Sequence, residues 1–221
     1  MATLAVSPRE ELEQIVLEME RRTIDKACRA DALYWLQDHT LTENEQWQRE
    51  NLPFKAAFPR KQYLRVLFDQ FKKSRLLFIP KARDMMTSWS AAGWGTHQAQ
   101  WEKATVVVQT ESEDKAKKLV KYAKILYENQ SEDLKRRHPL KADSTLHLEW
   151  EGGGEYFGIP CGETKIRIHH PTIYIMDEAA FLPGAKALYE AAYPVAGQII
   201  AISSAGPGWF GEMCDPSQIA A

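Results

Sequence analysis

Four apolar residues, Ile173-Tyr174-Ile175-Met176, run straight into Asp177-Glu178. A stretch of that composition reads as a core strand, and the carboxyl end of such a strand is where open α/β sheets hold ligands. Two carboxylates there suit phosphate chemistry. Asp177 can support a magnesium ion, which takes carboxylate, phosphate and water oxygens. Glu178, beside it, can polarise an attacking water. The same pair would also serve as a solvated acidic close to a core strand, so the reading needs a second group of residues.

That group is the stretch Leu76-Leu77-Phe78-Ile79 followed by Pro80-Lys81-Ala82-Arg83-Asp84-Met85-Met86-Thr87-Ser88. Its layout is strand, tight loop, helix, where a phosphate-binding loop belongs. The usual pattern is G-x-x-x-x-G-K-[ST], and here only Ser88 fits. Lys81 stands at the first glycine, Met86 at the second, and Thr87 at the lysine. A phosphate cradle draws mostly on backbone N–H groups and a helix N-terminus. Lys81 can therefore supply the ammonium from the other end of the loop, with Arg83 as a second, forked cation. Ser88 heads the next helix, where a magnesium-ligating hydroxyl belongs. Met86 is the awkward position, because a glycine there allows close approach or positive φ. Taken alone, the loop reads equally well as a basic strand-to-helix turn.

The surrounding elements must bring these two stretches together. Ser7-Pro8 with Glu10 and Glu11 signals a helix start, and Leu12, Ile15, Val16 and Met19 recur at helical spacing. A second helix is expected over Asp31–Asp38, and the stretch TENEQWQRE, residues 42–50, reads as the beginning of a third. Pro53 and Pro59 bracket a loop, and residues 60–74 read as an amphipathic helix. From there strands and helices alternate. Buried strands are expected at 75–79, 104–110, 172–181 and 198–206, with a Ser112-capped helix running to Leu126. Residues 128–144 read as a connection, and 145–160 as a hairpin turning at Gly152-Gly153-Gly154. This alternation implies βαβ crossovers and a mainly parallel sheet.

At 221 residues and 25.3 kDa the chain suffices for one sizeable α/β domain with a helical annex. A net charge of -2 offers no global footprint for nucleic acid. Cys28, Cys161 and Cys214 are scattered and odd in number, which suits free thiols in a reducing compartment. No apolar stretch is long enough to span a membrane, and the acidic N-terminus does not resemble a signal peptide. The lysine series from Lys115 to Lys124 reads as a solvated helix face.

Taken together, Lys81-x-Arg83 with Ser88, then HPTIYIMDEAAF, then AISSAGPGWFG resemble the ATPase domain of phage large terminase subunits, the motors that pump DNA into capsids. Many of those loops carry their lysine at the start. The resemblance covers roughly Pro53 to Gly211. It implies an α/β fold of P-loop NTPase type, with a mainly parallel sheet flanked by helices and a small helical N-terminal region. It divides the chain into 1–52 (helical) and 53–221 (ATPase). It implies ATP and magnesium as cofactors, and residues 81–88 as the nucleotide loop: Lys81, Ala82, Arg83, Asp84, Met85, Met86, Thr87 and Ser88. Lys81 and Arg83 would meet the β- and γ-phosphates, Ser88 and Asp177 the magnesium, and Glu178 would be the catalytic carboxylate. Ser203-Ser204-Ala205 would couple hydrolysis to motion. Gln62 would recognise adenine, with Phe54 or Tyr63 flanking the base, and Arg167 would act on a neighbouring subunit's site. The implied partners are double-stranded DNA, further copies in a ring on a portal, and a small terminase subunit, in the cytoplasm of an infected or lysogenic bacterium and without a membrane. A nuclease domain usually follows in such proteins, and none is expected within these residues. Two other readings stay open: a helicase- or translocase-like ATPase outside packaging, and a catalytically dead nucleotide-binding or assembly module.

Overall fold

The computed structural model describes residues 7–44, 51, 53–160, 170–206 and 208–215. Helix α1 spans Pro8–Ala30, and a complete capping box closes its start: Ser7 Oγ accepts from the Glu10 N–H while the Glu10 side chain takes the Ser7 N–H. Asp31 caps α2, Ala32–His39. Thr42–Glu43, where a third helix was expected to begin, is not helical, and residues 45–50 of that stretch lie outside the described residues. Thr42–Glu43 is instead a strand (β1) that pairs antiparallel with Lys55–Ala56 (β2) inside the expected proline-bracketed loop. The β-branched Thr42 favours extended backbone, and this ladder satisfies its backbone groups.

Helix α3 covers Gln62–Lys73, β3 Leu76–Pro80 and α4 Thr87–Glu102. Then come β4 (Thr105–Thr110), α5 (Glu113–Glu128) and a short α6 (Glu132–Arg137). The chain continues through β5 (Leu140–Asp143), β6 (His147–Trp150), β7 (Glu155–Pro160), β8 (Ile173–Asp177), a 3-10 turn (Ala179–Phe181), α7 (Ala185–Ala192), β9 (Gln198–Ser203) and α8 (Trp209–Met213). The expected connection at 128–144 thus holds both a helix and a strand. Ser131 caps α6 at the Leu134 N–H, and Leu134 is buried, so a polar segment still has one anchor in the core.

The main sheet has seven strands in the order β3-β9-β8-β4-β7-β6-β5. From β3 to β7 every pairing is parallel, and β6 and β5 add antiparallel strands beyond. Strand β3 was expected to be fully buried but lies at the sheet's edge, paired to β9 alone, with Leu76 to Ile79 only half-buried. Its continuous apolar run serves two faces instead. Leu77 and Ile79 pack toward α3, α4 and α5, whereas Leu76 and Phe78 pack toward α7 and α8. The alternation follows from the period of two along a strand.

Helix α4 is buried on nearly every side. Its glycines are contact points. A Cβ at Gly93 would meet Leu36 at 2.7 Å, and one at Gly95 would meet Tyr156 and Val106 at 2.9 Å. Helix propensity yields here to close approach of α2 on one side and the sheet on the other. No helix of the described residues is long and apolar enough to cross a membrane.

Candidate active site

Parallel pairing aligns the carboxyl ends of β3, β9 and β8 on one rim, with Pro80 opposite Ser203 and Asp177 opposite Ile202. The loop after β3 therefore sits directly beside the acids after β8. Lys81 is tied in by its backbone, whose N–H donates to the Ser203 carbonyl at 2.9 Å. Its Nζ donates to Glu178 Oε1 at 2.9 Å. Ser88, at the head of α4, donates its hydroxyl to Asp177 Oδ1 at 2.9 Å. The two stretches that the sequence offered separately thus meet through two side-chain pairs.

Glu178 has left-handed backbone, φ 54 and ψ 45, at the step from strand to 3-10 turn. That conformation is uncommon for a residue with a Cβ. Its Oε2 accepts from the Ser204 hydroxyl at 3.2 Å, the Ser203 hydroxyl at 3.4 Å and the Ser204 N–H at 3.5 Å. Ser203 Oγ in turn accepts the Ala180 N–H at 3.1 Å, linking the end of β9 to the 3-10 turn.

The two carboxylates are shifted in opposite directions from their ordinary values. Burial pushes the Asp177 carboxyl above its ordinary range, and the Glu178 charge adds to this against the Ser88 hydroxyl and the Lys81 ammonium. Burial is also the largest single influence on Glu178 and acts upward. Lys81, as hydrogen-bond donor and as charge, together with the Ser204 amide and hydroxyl, outweighs it and holds Glu178 below its ordinary range. Neighbouring carboxylates separated in this way have distinct roles open to them.

The loop bends through left-handed backbone twice, at Asp84 (φ 62) and Met86 (φ 52). Met86 thus adopts the conformation for which the usual pattern carries glycine. Its carbonyl is held by the Ser90 N–H at 2.8 Å and the Ser90 hydroxyl at 2.9 Å. Tyr63 braces the loop from α3, its hydroxyl donating to the Met85 carbonyl at 3.2 Å. The first N–H groups of α4 have no acceptor within the helix and, with the positive end of its dipole, favour an anion at the loop.

A cleft of about 1200 Å³ opens here, lined by Lys81, Arg83, Asp84, Met85, Met86, Thr87, Ser88, Asp177, Glu178 and Ser204. Its other wall was not foreseen. Thr42, Glu43 and Asn44 of β1 and its loop, Ala56 and Ala57 beyond β2, and Lys115, Lys118 and Tyr122 of α5 all line it. The signal available in sequence was the i, i+3, i+7 spacing of those three α5 residues, hidden within a longer lysine run. Every lysine of that run has a partner: Lys115 pairs with Glu111, Lys117 with Glu113, Lys121 with Glu43 and Lys124 with Asp143, and Lys118 lies over the Tyr122 ring.

Other expected site residues lie apart. Gln62 is exposed at the start of α3, in a separate shallow groove with Gln37, Arg60, Lys61 and Arg65. Phe54 and Ala82 are exposed and are not among the residues lining the cleft, and Ala205 is exposed beyond Ser204. Arg167 falls outside the described residues.

No family model matches the chain, and no curated protein matches it. Solved structures do. The bacteriophage HK97 large terminase superposes with a TM-score of 0.58 at 12% identity, over 80% of this chain and 38% of that one. The ATPase domain of a Thermus phage large terminase gives 0.54 at 15% identity, over 78% of this chain and 74% of that one. An arginine-to-alanine mutant of that domain gives 0.52 at 14%. This chain therefore spans about 38% of the length of the HK97 protein. At such identities the likeness establishes a shared fold: the α/β fold of large-terminase ATPase domains.

Proposed function

We propose that this chain is a magnesium-dependent ATPase domain that powers DNA translocation in viral packaging, as part of a terminase large subunit. One observation carries the reading: Lys81 and Ser88 of the loop contact Glu178 and Asp177 of the strand end, at 2.9 Å each. A loop cation, a helix-head hydroxyl and two adjacent carboxylates are the parts phosphoryl transfer requires. The shared fold supports the same reading.

In this reading ATP lies along the loop, with Lys81 and Arg83 on its terminal phosphates and the first N–H groups of α4 beneath them. Ser88 and Asp177 fit magnesium, being a hydroxyl and a carboxylate already converging, and phosphate and water oxygens would complete the shell. The ion would neutralise charge developing on the transferred phosphoryl group. Glu178, kept ionised by Lys81 and Ser204, accepts a proton from the attacking water. Ser203 and Ser204 touch that same carboxylate, so a change at Glu178 is felt at the end of β9. We assign Arg167 to a neighbouring subunit's γ-phosphate, residues 53–221 to the ATPase unit and 1–52 to its helical annex. DNA, a portal-bound ring of copies, the small subunit and the cytoplasm of a phage-infected bacterium follow from this assignment.

The test is phosphate release with binding of a fluorescent ATP analogue measured alongside. Glu178→Gln is expected to lower turnover by about 10²- to 10⁴-fold while the analogue still binds. Lys81→Ala is expected to weaken binding, whereas Lys73→Ala, exposed at the end of α3, leaves it unchanged. Parental turnover in Glu178→Gln would overturn the assignment. Binding without turnover in the unmodified protein would favour the nucleotide-binding module instead.

A further inference from the structure

Two hydroxyls converge on the Met85 carbonyl. Tyr63 of α3 donates to it at 3.2 Å, and Thr87 at the head of α4 donates at 3.3 Å. A carbonyl oxygen has two lone pairs, so both donors can be accommodated. Thr87 stands where the usual phosphate loop has its lysine, and its side chain turns back on the loop instead. Met85 lies between Asp84 and Met86, the two left-handed residues that set the course of the loop.

Pinning a carbonyl also aims an N–H. The peptide unit is planar, and none among the described residues is cis. In a trans unit the N–H of the following residue points opposite to the carbonyl. The Met85 carbonyl is turned toward Tyr63, which is not among the residues lining the cleft, whereas Met85 and Met86 both line it. The Met86 N–H is therefore directed away from α3, on the cleft side of the loop. Among the described residues it has no acceptor, and neither have the N–H groups of Thr87 and Ser88 that follow. Successive N–H groups in a turn of this kind form a concave site for anions. Were the Met85–Met86 unit to turn over, a carbonyl oxygen would enter that site and repel an anion.

We infer that Tyr63 is a positioning residue for phosphate binding: its hydroxyl, with that of Thr87, fixes the Met85 carbonyl so that the Met86 N–H meets the phosphates of the nucleotide. The inference rests on the ATPase reading and deepens it. It gives the work to the hydroxyl of Tyr63, whereas flanking the base would use the ring.

Two probes separate those roles. A non-hydrolysable ATP analogue with magnesium carries base and phosphates, and inorganic tripolyphosphate with magnesium carries phosphates alone. Each is titrated into the full chain by displacement of a fluorescent ATP analogue. Tyr63→Phe keeps the ring and removes the hydroxyl. It is expected to weaken both probes by one common factor, about two- to tenfold, the worth of a single hydrogen bond. Thr87→Val, which removes the second donor at the same carbonyl, should act in the same direction. A further readout follows the peptide unit itself. Met85-Met86 is the one methionine pair in the sequence, so protein labelled at methionine carbonyl carbon and amide nitrogen gives a single correlation, from this unit. Tripolyphosphate should move its amide resonance in the parent and move it much less in Tyr63→Phe, a difference that a merely structural role does not produce. Equal affinities in parent and Tyr63→Phe, a loss confined to the ATP analogue, or a Met86 amide that ignores tripolyphosphate would each overturn the inference while the parent still binds nucleotide. A parent that binds neither probe would overturn the ATPase reading and this inference with it.

Discussion

Met86 shows what a single residue must do at this site. The loop needs left-handed backbone at the entry to α4, and Met86 supplies it at φ 52 although glycine is the residue for which that region carries no steric cost. Methionine is unbranched at Cβ, so its strain there is moderate, and its side chain packs against the helical-layer core. A β-branched residue would crowd the same backbone further. Met86→Val is therefore expected to destabilise the protein by about 1–2 kcal/mol and to abolish nucleotide binding. Met86→Asn, which tolerates this conformation, should keep binding and lose only the buried contact. Urea melts with analogue titrations of both variants check this, and equal binding by Val and Asn would refute the backbone argument. Glu178, at φ 54, carries comparable strain on the facing element.

At the scale of the element, α4 joins the site to the rest of the protein. Its head holds Thr87 and Ser88 at the cleft, and further along the same helix His97 is buried among Trp35, Trp94 and Trp101. The His97 Nε2 lies 2.9 Å from the Cys28 carbonyl, which can only accept, so that nitrogen carries the hydrogen. Nδ1 then accepts from Gln98 at 3.1 Å, and the neutral ring is fully satisfied. Burial is the main influence that lowers its pKa, from 6.5 to about 4. The unfolded chain therefore binds the proton more readily between those values. Stability rises with pH across that window: it is fully present above about 6.5 and is lost as pH falls through about 4. The group accounts for up to about 3 kcal/mol of that slope. Denaturant melts from pH 4.5 to 7 should show a shallower acid limb in His97→Gln than in the parent, and parallel limbs would remove His97 from the account.

At the scale of the whole molecule, the N-terminal helices and the sheet share one core. Trp35 of α2 is fully buried, with its indole N–H donated to Gln130 at 3.0 Å and its ring edge-on to Trp101. Gln130 exchanges further hydrogen bonds with Gln100 of α4, so truncating Trp35 opens a cavity beside buried amides. Trp35→Ala is expected to cost about 3–5 kcal/mol. Loss of helix signal and loss of phosphate release should follow a single transition, because the annex lies in the core that supports α4. Separate transitions would mean that the helical region folds as its own unit. Deletion of residues 1–40 is expected to leave insoluble protein for the same reason.

Much of this was legible along the chain. The helix starts at Ser7 and Ser112, the apolar strands and the acids after Met176 are local patterns, and local patterns are what backbone propensity and capping record. The loop could be located but not judged. Whether Lys81 is a phosphate lysine or a turn residue depends on what stands opposite it, and only the parallel register of β3, β9 and β8 brings Glu178 to 2.9 Å. The edge position of β3, the β1–β2 pair at the cleft wall and the separation of Gln62 from the cleft were likewise decided by tertiary structure. Strand order and ladder partners involve residues distant in sequence, so no local window carries them. Even the glycines of α4 have their reason in Leu36, Val106 and Tyr156, which close around the helix only when the chain has folded.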